Sequence, residues 1–223
     1  MVYHKPFVKL VYKNINPNSW GALGIDICLG AVIDKNINSK DELFLPYNLK
    51  SYFDKLGNSN IRNGSLVTTS ILFGEYSKYT ETLISPLYFL LILSLIIISI
   101  TYIDYLRRTR SIILDSIILI ITGAIGLLLV YLWFFSNHTA SAWNYNLLWA
   151  VPFNLILFIE LLKSKQKKWV ISYLKLIVIM LLLMCLHWIV GVQVFNISLI
   201  SLILALIIRY FYLIKYFTNS IRQ

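Results

Sequence analysis

Residues 136–154 read SNHTASAWNYNLLWAVPFN, and this stretch decides the fold. It is polar and aromatic, and it separates two strongly apolar runs of the chain. We call it the hinge. A polar stretch with tryptophans between apolar runs is typical of a turn between membrane helices, where the chain meets the headgroup region and water. We therefore expect the hinge to lie at the outer surface of a membrane bundle.

Composition divides the chain into two regions. Hydrophobic residues make up 58% of the 223 residues, and the mean hydropathy is +0.72, above the values of soluble domains. The excess of hydrophobic residues lies from residue 86 onward, where apolar runs alternate with short polar loops. Residues 1–85 have the composition of a soluble protein. The sequence predicts an extracytoplasmic segment at 1–85 and a transmembrane domain at 86–223.

The basic balance of the chain points to a membrane surface. The net charge is +10, and residues 86–223 contain eleven Lys or Arg against three Asp or Glu. Basic loops of this kind are attracted to anionic lipids. No nucleic-acid partner is expected, because that would need the charges on one soluble surface. Two cysteines are too few for a disulfide framework.

The apolar runs predict a mainly α fold, a polytopic bundle of five transmembrane helices. The runs lie at about 86–105, 112–135, 147–162, 169–188 and 197–217. Most have the ~20 residues needed to cross a ~30 Å hydrocarbon layer. Lys and Arg follow the first, third and fifth runs, whereas the loops after the second and fourth runs have none. Because basic loops stay in the cytoplasm, the N-terminus is predicted outside and the C-terminus inside.

The N-terminal segment carries signals for a small α+β unit. Asn18 or Ser19 can cap a helix that Gly30 ends, and residues 47–56 indicate a second helix. The Asn63-Gly64 pair predicts a β-hairpin. So small a unit buries too little apolar surface to be stable alone, and we expect it to lie on the bundle or on a partner. It would have to cross the membrane without an export signal, so either the first helix carries it across or Met1 is an internal start, and we favour the second explanation.

Seven side chains are predicted to meet at the outer face. Any one of them alone is an ordinary residue of a loop facing water. Together they could bind a phospholipid headgroup, or stabilise a carbonyl oxygen through their donors. These candidates for facing lipid or substrate are His138, Asn144, Asn146, Trp149, His187, Gln193 and Asn196.

Nucleophile and metal chemistry find little support in the sequence. Cys185 and His187 are two residues apart on a helix and do not face each other, so we expect no catalytic pair. A zinc site made from these two and His138 lacks the usual ligand spacing. No metal and no cofactor are expected.

The acidic residues of the membrane region lie near the predicted cytoplasmic helix ends. Asp104, Asp115 and Glu160 have basic residues nearby, so we expect charge pairs there rather than a proton relay. Arg209 lies inside the fifth run, and we expect it to extend toward the cytoplasmic surface. A small transporter is disfavoured because inverted repeats are lacking.

Two stretches resemble one family. Residues 20–46, WGALGIDICLGAVIDKNINSKDELFLP, resemble the pattern W-x-x-x-GID-x-x-LG-x-x-xD … FLP of Lnb-type lipoprotein N-acyltransferases. Residues 138–152, HTASAWNYNLLWAVP, resemble the H-x-x-x-x-x-N-x-NLLW-x-x-P hinge of their five-helix membrane domain, and 191–196 also fit. The order of these motifs also agrees with the family.

The resemblance implies a periplasmic thiol-peptidase-like domain fused to a membrane bundle. Such proteins transfer an acyl chain to the amino group of the N-terminal cysteine of bacterial lipoproteins. Neither Cys28 nor His4 matches the family's catalytic positions, so no catalytic residue is carried over. The hinge residues are carried over (His138, Asn144, Asn146, Leu147, Leu148, Trp149 and Pro152), together with Asp26 as a candidate for docking onto the membrane domain.

We therefore expect the membrane portion, or a truncated relative, of a lipoprotein N-acyltransferase, inactive alone because the thiol part is absent. It would lie in the bacterial inner membrane, with membrane phospholipid as a partner. A lipoprotein substrate or a separate catalytic domain is a further possible partner. The alternative is a non-catalytic scaffold or partner-binding subunit, which should copurify with another protein.

Overall fold

The computed structural model describes residues 12, 15–34, 43, 48–50, 52–53, 84–163 and 167–222. The chain divides into two compact units. The first comprises Met1–Asn16 and Ile33–Glu81, and the second comprises Pro17–Val32 and Thr82–Gln223. Residues 48–50 and 52–53 of the first unit are helical, in agreement with the predicted helix there. The predicted hairpin at Asn63-Gly64 lies outside the described residues.

Six α-helices are numbered here in chain order. They are α1 (Trp20–Cys28), α2 (Pro86–Arg107), α3 (Ile112–Phe134), α4 (Asn154–Leu161), α5 (Trp169–Val190) and α6 (Leu199–Arg222). Short 3-10 turns lie at Ala31–Asp34, Thr139–Ser141 and Tyr145–Leu148. Helices α2, α3, α5 and α6 are long and apolar enough to cross a membrane. The prediction of a mainly α polytopic bundle is confirmed.

The third apolar run differs from the predicted helix at 147–162. Helix α4 has eight residues and is only about 12 Å long. The backbone before it is irregular, because Pro152 lacks an N–H group and disfavours helix at the residue before it. Gly126 of α3 lets this backbone come close, since a Cβ there would lie 2.3 Å from the Ala150 carbonyl oxygen. Irregular backbone at membrane depth is tolerated where protein covers it, and Ala150 is buried.

A buried asparagine starts α4. The Asn154 amide nitrogen donates to the Thr122 hydroxyl at 2.8 Å, and its oxygen accepts from the Tyr173 hydroxyl at 2.9 Å. Thr122 in turn donates to the Ile118 carbonyl of its own helix. The network joins α3, α4 and α5, and it spares the buried amide the cost of lacking hydrogen-bond partners.

Two of the long helices pack against α6. Helix α6 contacts both α2 and α5, while α4 packs on α3. Their shared interior is aliphatic, with fully buried members that include Leu119, Leu157, Leu174, Ile177, Leu181, Met184 and Leu206. Large apolar side chains also cover the outward faces of the helices. Apolar surfaces on both sides of a helix are typical of a bundle that faces lipid.

An arginine between two aspartates joins three helices. Arg209 of α6 has no exposed surface, and its guanidinium lies 2.7 Å from Asp104 Oδ2 and 2.7 Å from Asp115 Oδ1. Asp104 also accepts from the backbone N–H and the hydroxyl of Ser111, at 2.9 and 2.8 Å. The predicted pairing of these aspartates is confirmed. The prediction that Arg209 extends to the surface is wrong, because the two carboxylates hold it inside.

Further charge pairs lie at the same end of the bundle. Arg110 approaches Asp115 at 3.7 Å and donates to the Leu161 carbonyl at 2.9 Å. Glu160 pairs with Lys163 at 2.7 Å, as predicted. We call this the basic end, because its exposed charged side chains are cationic. They are Arg107, Arg108, Lys163, Lys167, Lys168 and Lys215.

The buried arginine should contribute strongly to stability. Replacing Arg209 with Met removes the cation that bonds both buried carboxylates, and breaking a buried ion pair in this way typically costs about 3–5 kcal/mol. We expect a large fall in the Tm of the purified protein in detergent. Arg107→Met is the matched control, because Arg107 is exposed and its loss should change stability by less than about 0.5 kcal/mol. Equal Tm values for the two variants would contradict this account.

Candidate functional site

The hinge receives the C-terminal end of α1. This helix begins at Trp20, where the Ser19 hydroxyl accepts from the Ala22 N–H at 3.1 Å, as the sequence predicted. The last carbonyl groups of a helix have no partner within the helix. Here the carbonyls of Asp26 and Ile27 accept hydrogen bonds from side-chain amides of the hinge. The hinge thus caps the end of a helix that comes from earlier in the chain.

Two asparagines of the hinge make these contacts. The Asn146 amide nitrogen lies 2.8 Å from the Asp26 carbonyl oxygen and 3.2 Å from that of Ile27. The Asn144 amide nitrogen lies 2.7 Å from the same Ile27 oxygen. The Asn146 side-chain oxygen accepts from the Trp149 indole N–H at 2.9 Å. Both asparagines are buried, so their amides are fully engaged within the protein.

The loop between α5 and α6 supplies two more amides. Gln193 donates to the Leu29 carbonyl at 3.1 Å and accepts from the Tyr145 N–H at 2.8 Å, so it bridges residues 17–32 and the hinge. Asn196 donates to Asp26 Oδ2 at 2.8 Å. We call Asn144, Asn146, Gln193 and Asn196 the amide clamp. Asp26 thereby makes a contact of the kind that its proposed docking role requires.

Backbone groups complete the contact. The Gly30 N–H donates to the Ala140 carbonyl at 2.9 Å, and the Ala31 N–H donates to the Trp143 carbonyl at 3.1 Å. A Cβ on Gly30 would lie 1.9 Å from the Ala142 carbonyl oxygen, which no side chain can tolerate. Helix α1 ends at Cys28, just before Gly30 as predicted, and the φ of Gly30 is not positive. Its role in the structure is to let two backbones come close.

The clamp uses uncharged donors at the negative end of a helix. A lysine or arginine at a helix C-terminus would also be favourable, but burying its charge carries a large desolvation cost. An amide avoids this cost and supplies both donors and an acceptor. A buried carbonyl left unpaired costs about 1–3 kcal/mol, so losing one clamp residue affects both sides of the contact.

Five of the seven predicted candidates lie within this contact. The sequence suggested that they face lipid or substrate, whereas the structure buries them against residues 17–32 and the hinge itself. Trp149 is likewise buried, and its indole N–H donates to the Asn146 side-chain oxygen. The five are Asn144, Asn146, Trp149, Gln193 and Asn196.

The two histidines are more open. His138 is exposed, and its ring makes no hydrogen bond within the described part of the chain. His187 is half-buried, with Nδ1 2.8 Å from the Leu183 carbonyl oxygen and its ring centroid 4.7 Å from that of Tyr145. His138 belongs to the hinge and His187 contacts Tyr145 of the hinge, and these two are the candidates that could meet a ligand.

The described residues provide binding groups rather than a reaction centre. Burial raises the pKa of the Cys28 thiol, which disfavours the thiolate that a nucleophile needs. Neither described histidine ring bonds a cysteine, a serine or a carboxylate. Across 15–34, 84–163 and 167–222, no three His, Cys, Asp or Glu residues come together as metal ligands. The site can therefore hold and orient a segment of protein.

The close approach at Gly30 can be tested with a matched variant. Gly30→Ala should push residues 17–32 away from the hinge, because the neighbouring atoms are backbone. Gly24→Ala is the control, since a Cβ on Gly24 meets nothing within 4 Å and alanine favours helix by about 1 kcal/mol. We expect faster amide hydrogen exchange at residues 22–31 in the first variant only. Unchanged exchange in Gly30→Ala would contradict the contact.

The fold and this site define a class, a polytopic helical membrane domain whose hinge and last loop hold a short helix from earlier in the chain. The family model described as the Lnb transmembrane domain matches residues 78–220, more than half of the sequence. The chain belongs to this family, and the resemblance found in the sequence is confirmed. No curated protein and no solved structure matches the chain.

Proposed function

We propose that this chain is the membrane part of a lipoprotein N-acyltransferase-like protein. In this proposal the amide clamp fixes residues 17–32 at the outer face of the membrane. Family membership supports the acyl-transfer class, and the convergence of four buried amides on one helix end carries the positioning role. The clamp residues are positioning residues, because their polar atoms are occupied by the protein itself.

The proposal includes an orientation in the bacterial inner membrane. The basic end faces the cytoplasm, and the hinge faces the periplasm. All three acidic residues of 86–223 are buried, so the exposed charge of the basic end is positive only, as is typical of cytoplasmic loops. A phospholipid and the lipidated N-terminus of a lipoprotein would then meet the hinge from the outer leaflet.

Deleting the gene for this chain in its native host tests whether the chain takes part in lipoprotein N-acylation. We expect the N-terminal lipopeptides of lipoproteins, measured by mass spectrometry, to gain a free amino group, and a plasmid copy of the complete gene, with any catalytic part it encodes, to restore the acyl chain. Unchanged N-acylation would overturn the proposal. That result would favour the second candidate, a non-catalytic scaffold. This candidate is also supported by the structure, because no nucleophile among the described residues is hydrogen-bonded to a histidine. A partner that copurifies with the chain would then be expected.

Variants of the hinge should separate substrate contact from docking. In a full-length enzyme, His138→Ala should reduce N-acylation and leave the Tm of the protein unchanged, because the His138 ring is exposed. Asn146→Ala should lower both, since it removes the side-chain donor for the Asp26 carbonyl and the acceptor for the Trp149 indole N–H, while Asn144 still donates to the Ile27 carbonyl. A loss of about 1–3 kcal/mol is expected for each carbonyl left unpaired.

Asn137→Ala is the matched control, because Asn137 is exposed and adjacent to His138. It should change neither lipoprotein N-acylation nor Tm. Full N-acylation in His138→Ala would restrict the hinge to docking. An unchanged Tm in Asn146→Ala would argue against the clamp itself.

A further inference from the structure

A groove of about 330 Å³ lies between α2 and α6 on the lipid-facing surface of the bundle. It begins near Ile98 and Ile208 and ends at Tyr105 and Lys215, at the basic end. Seven residues separate its two ends along each helix, so it is about 10 Å long. The groove is far from the hinge, and the proposed function does not use it.

The floor of the groove is apolar, because the two polar residues at its base direct their hydroxyl groups into the protein. Thr101 and Tyr212 lie at its base and are buried. The Thr101 hydroxyl donates to the Ile97 carbonyl at 2.6 Å, and the Tyr212 hydroxyl donates to the Asp104 carbonyl at 3.0 Å. Both hydroxyls are thus turned into the protein, and hydrocarbon faces the groove.

One end of the groove carries an exposed cation. Lys215 is exposed, and its ammonium nitrogen lies 4.7 Å from the centroid of the Tyr105 ring, a cation–π contact that holds it over the groove. Within residues 84–163 and 167–222 no carboxylate competes for it, because Asp104, Asp115 and Glu160 are all buried. The groove therefore joins an apolar channel to an unopposed positive charge.

We propose that this groove binds an anionic phospholipid, with one acyl chain along the channel and the phosphate on Lys215. A zwitterionic lipid would bring its own cation next to the ammonium group and gain less. A helix from a second copy of the chain would need a longer seam than about 10 Å, which is about two helical turns. The site is separate from the hinge, so it can exist whether or not the chain takes part in N-acylation.

Native mass spectrometry of the full chain can test this site. The protein would be presented with phosphatidylglycerol and phosphatidylcholine of identical acyl chains. We expect the wild type to retain phosphatidylglycerol preferentially. Lys215→Gln should reduce that retention about fivefold, because one basic residue near an anionic lipid contributes about 1 kcal/mol. Lys168→Gln is the control, since it removes the same charge at the same end but outside the groove.

A second variant tests the channel itself. Ile208→Trp fills the groove from an exposed position, so it should reduce phosphatidylglycerol retention without lowering the Tm. Equal losses in Lys215→Gln and Lys168→Gln would overturn the site in favour of a general surface attraction. Equal retention of the two lipids by the wild type would overturn the anionic occupant. Displacement of the lipid by a dimer of the chain would assign the groove to a second copy.

Discussion

The hydrogen bonds from buried amides to the end of α1 are the interaction on which the hinge side of the structure depends. A helix that ends inside protein must find partners for its last carbonyls, because water cannot reach them. Asn144 and Asn146 supply those partners, and Gln193 extends the same solution to the Leu29 carbonyl. The hinge is therefore irregular because its asparagine amides must point at the carbonyl groups that end α1. A regular helix at this position would not direct its side chains there.

The same constraint explains the other polar groups of the bundle. Arg209 is tolerated inside because two carboxylates surround it, and those carboxylates are tolerated because Arg209 bonds both of them, Ser111 donates to Asp104, and Arg110 lies 3.7 Å from Asp115. Asn154 is tolerated because a threonine and a tyrosine complete its hydrogen bonds. Each network joins helices that are distant in sequence, so each fixes the register between helices that apolar packing alone would leave free to slide. The polar groups thus fix positions within a bundle that is otherwise held by apolar packing.

Much of the fold could be predicted from the sequence, and the one wrong helix prediction, at residues 147–162, has a clear cause. Length and hydropathy identify α2, α3, α5 and α6, because crossing a hydrocarbon layer needs a long apolar helix whatever its neighbours are. The third run has similar composition, yet α4 is short, since Pro152 and the contact of Ala150 with Gly126 break the helix. Hydropathy measures how apolar a run is, and it carries no information about a contact between two distant backbone segments. Local charge proximity likewise indicated the pairs of Asp104 and Asp115 but not that a distant arginine would lie between them.

The sequence by itself determined the membrane class, the four long apolar helices, a helix start at Asn18 or Ser19, the uneven distribution of charge and the family. These features depend on composition, on neighbouring residues in the sequence and on short motifs, all of which can be read without knowing the fold. Only the tertiary structure decided which way the polar side chains of the hinge point. An asparagine between apolar runs looks the same in sequence whether it faces water or caps a helix more than a hundred residues away. The difference lies in which carbonyl groups lack partners, and that is settled only when the chain is folded.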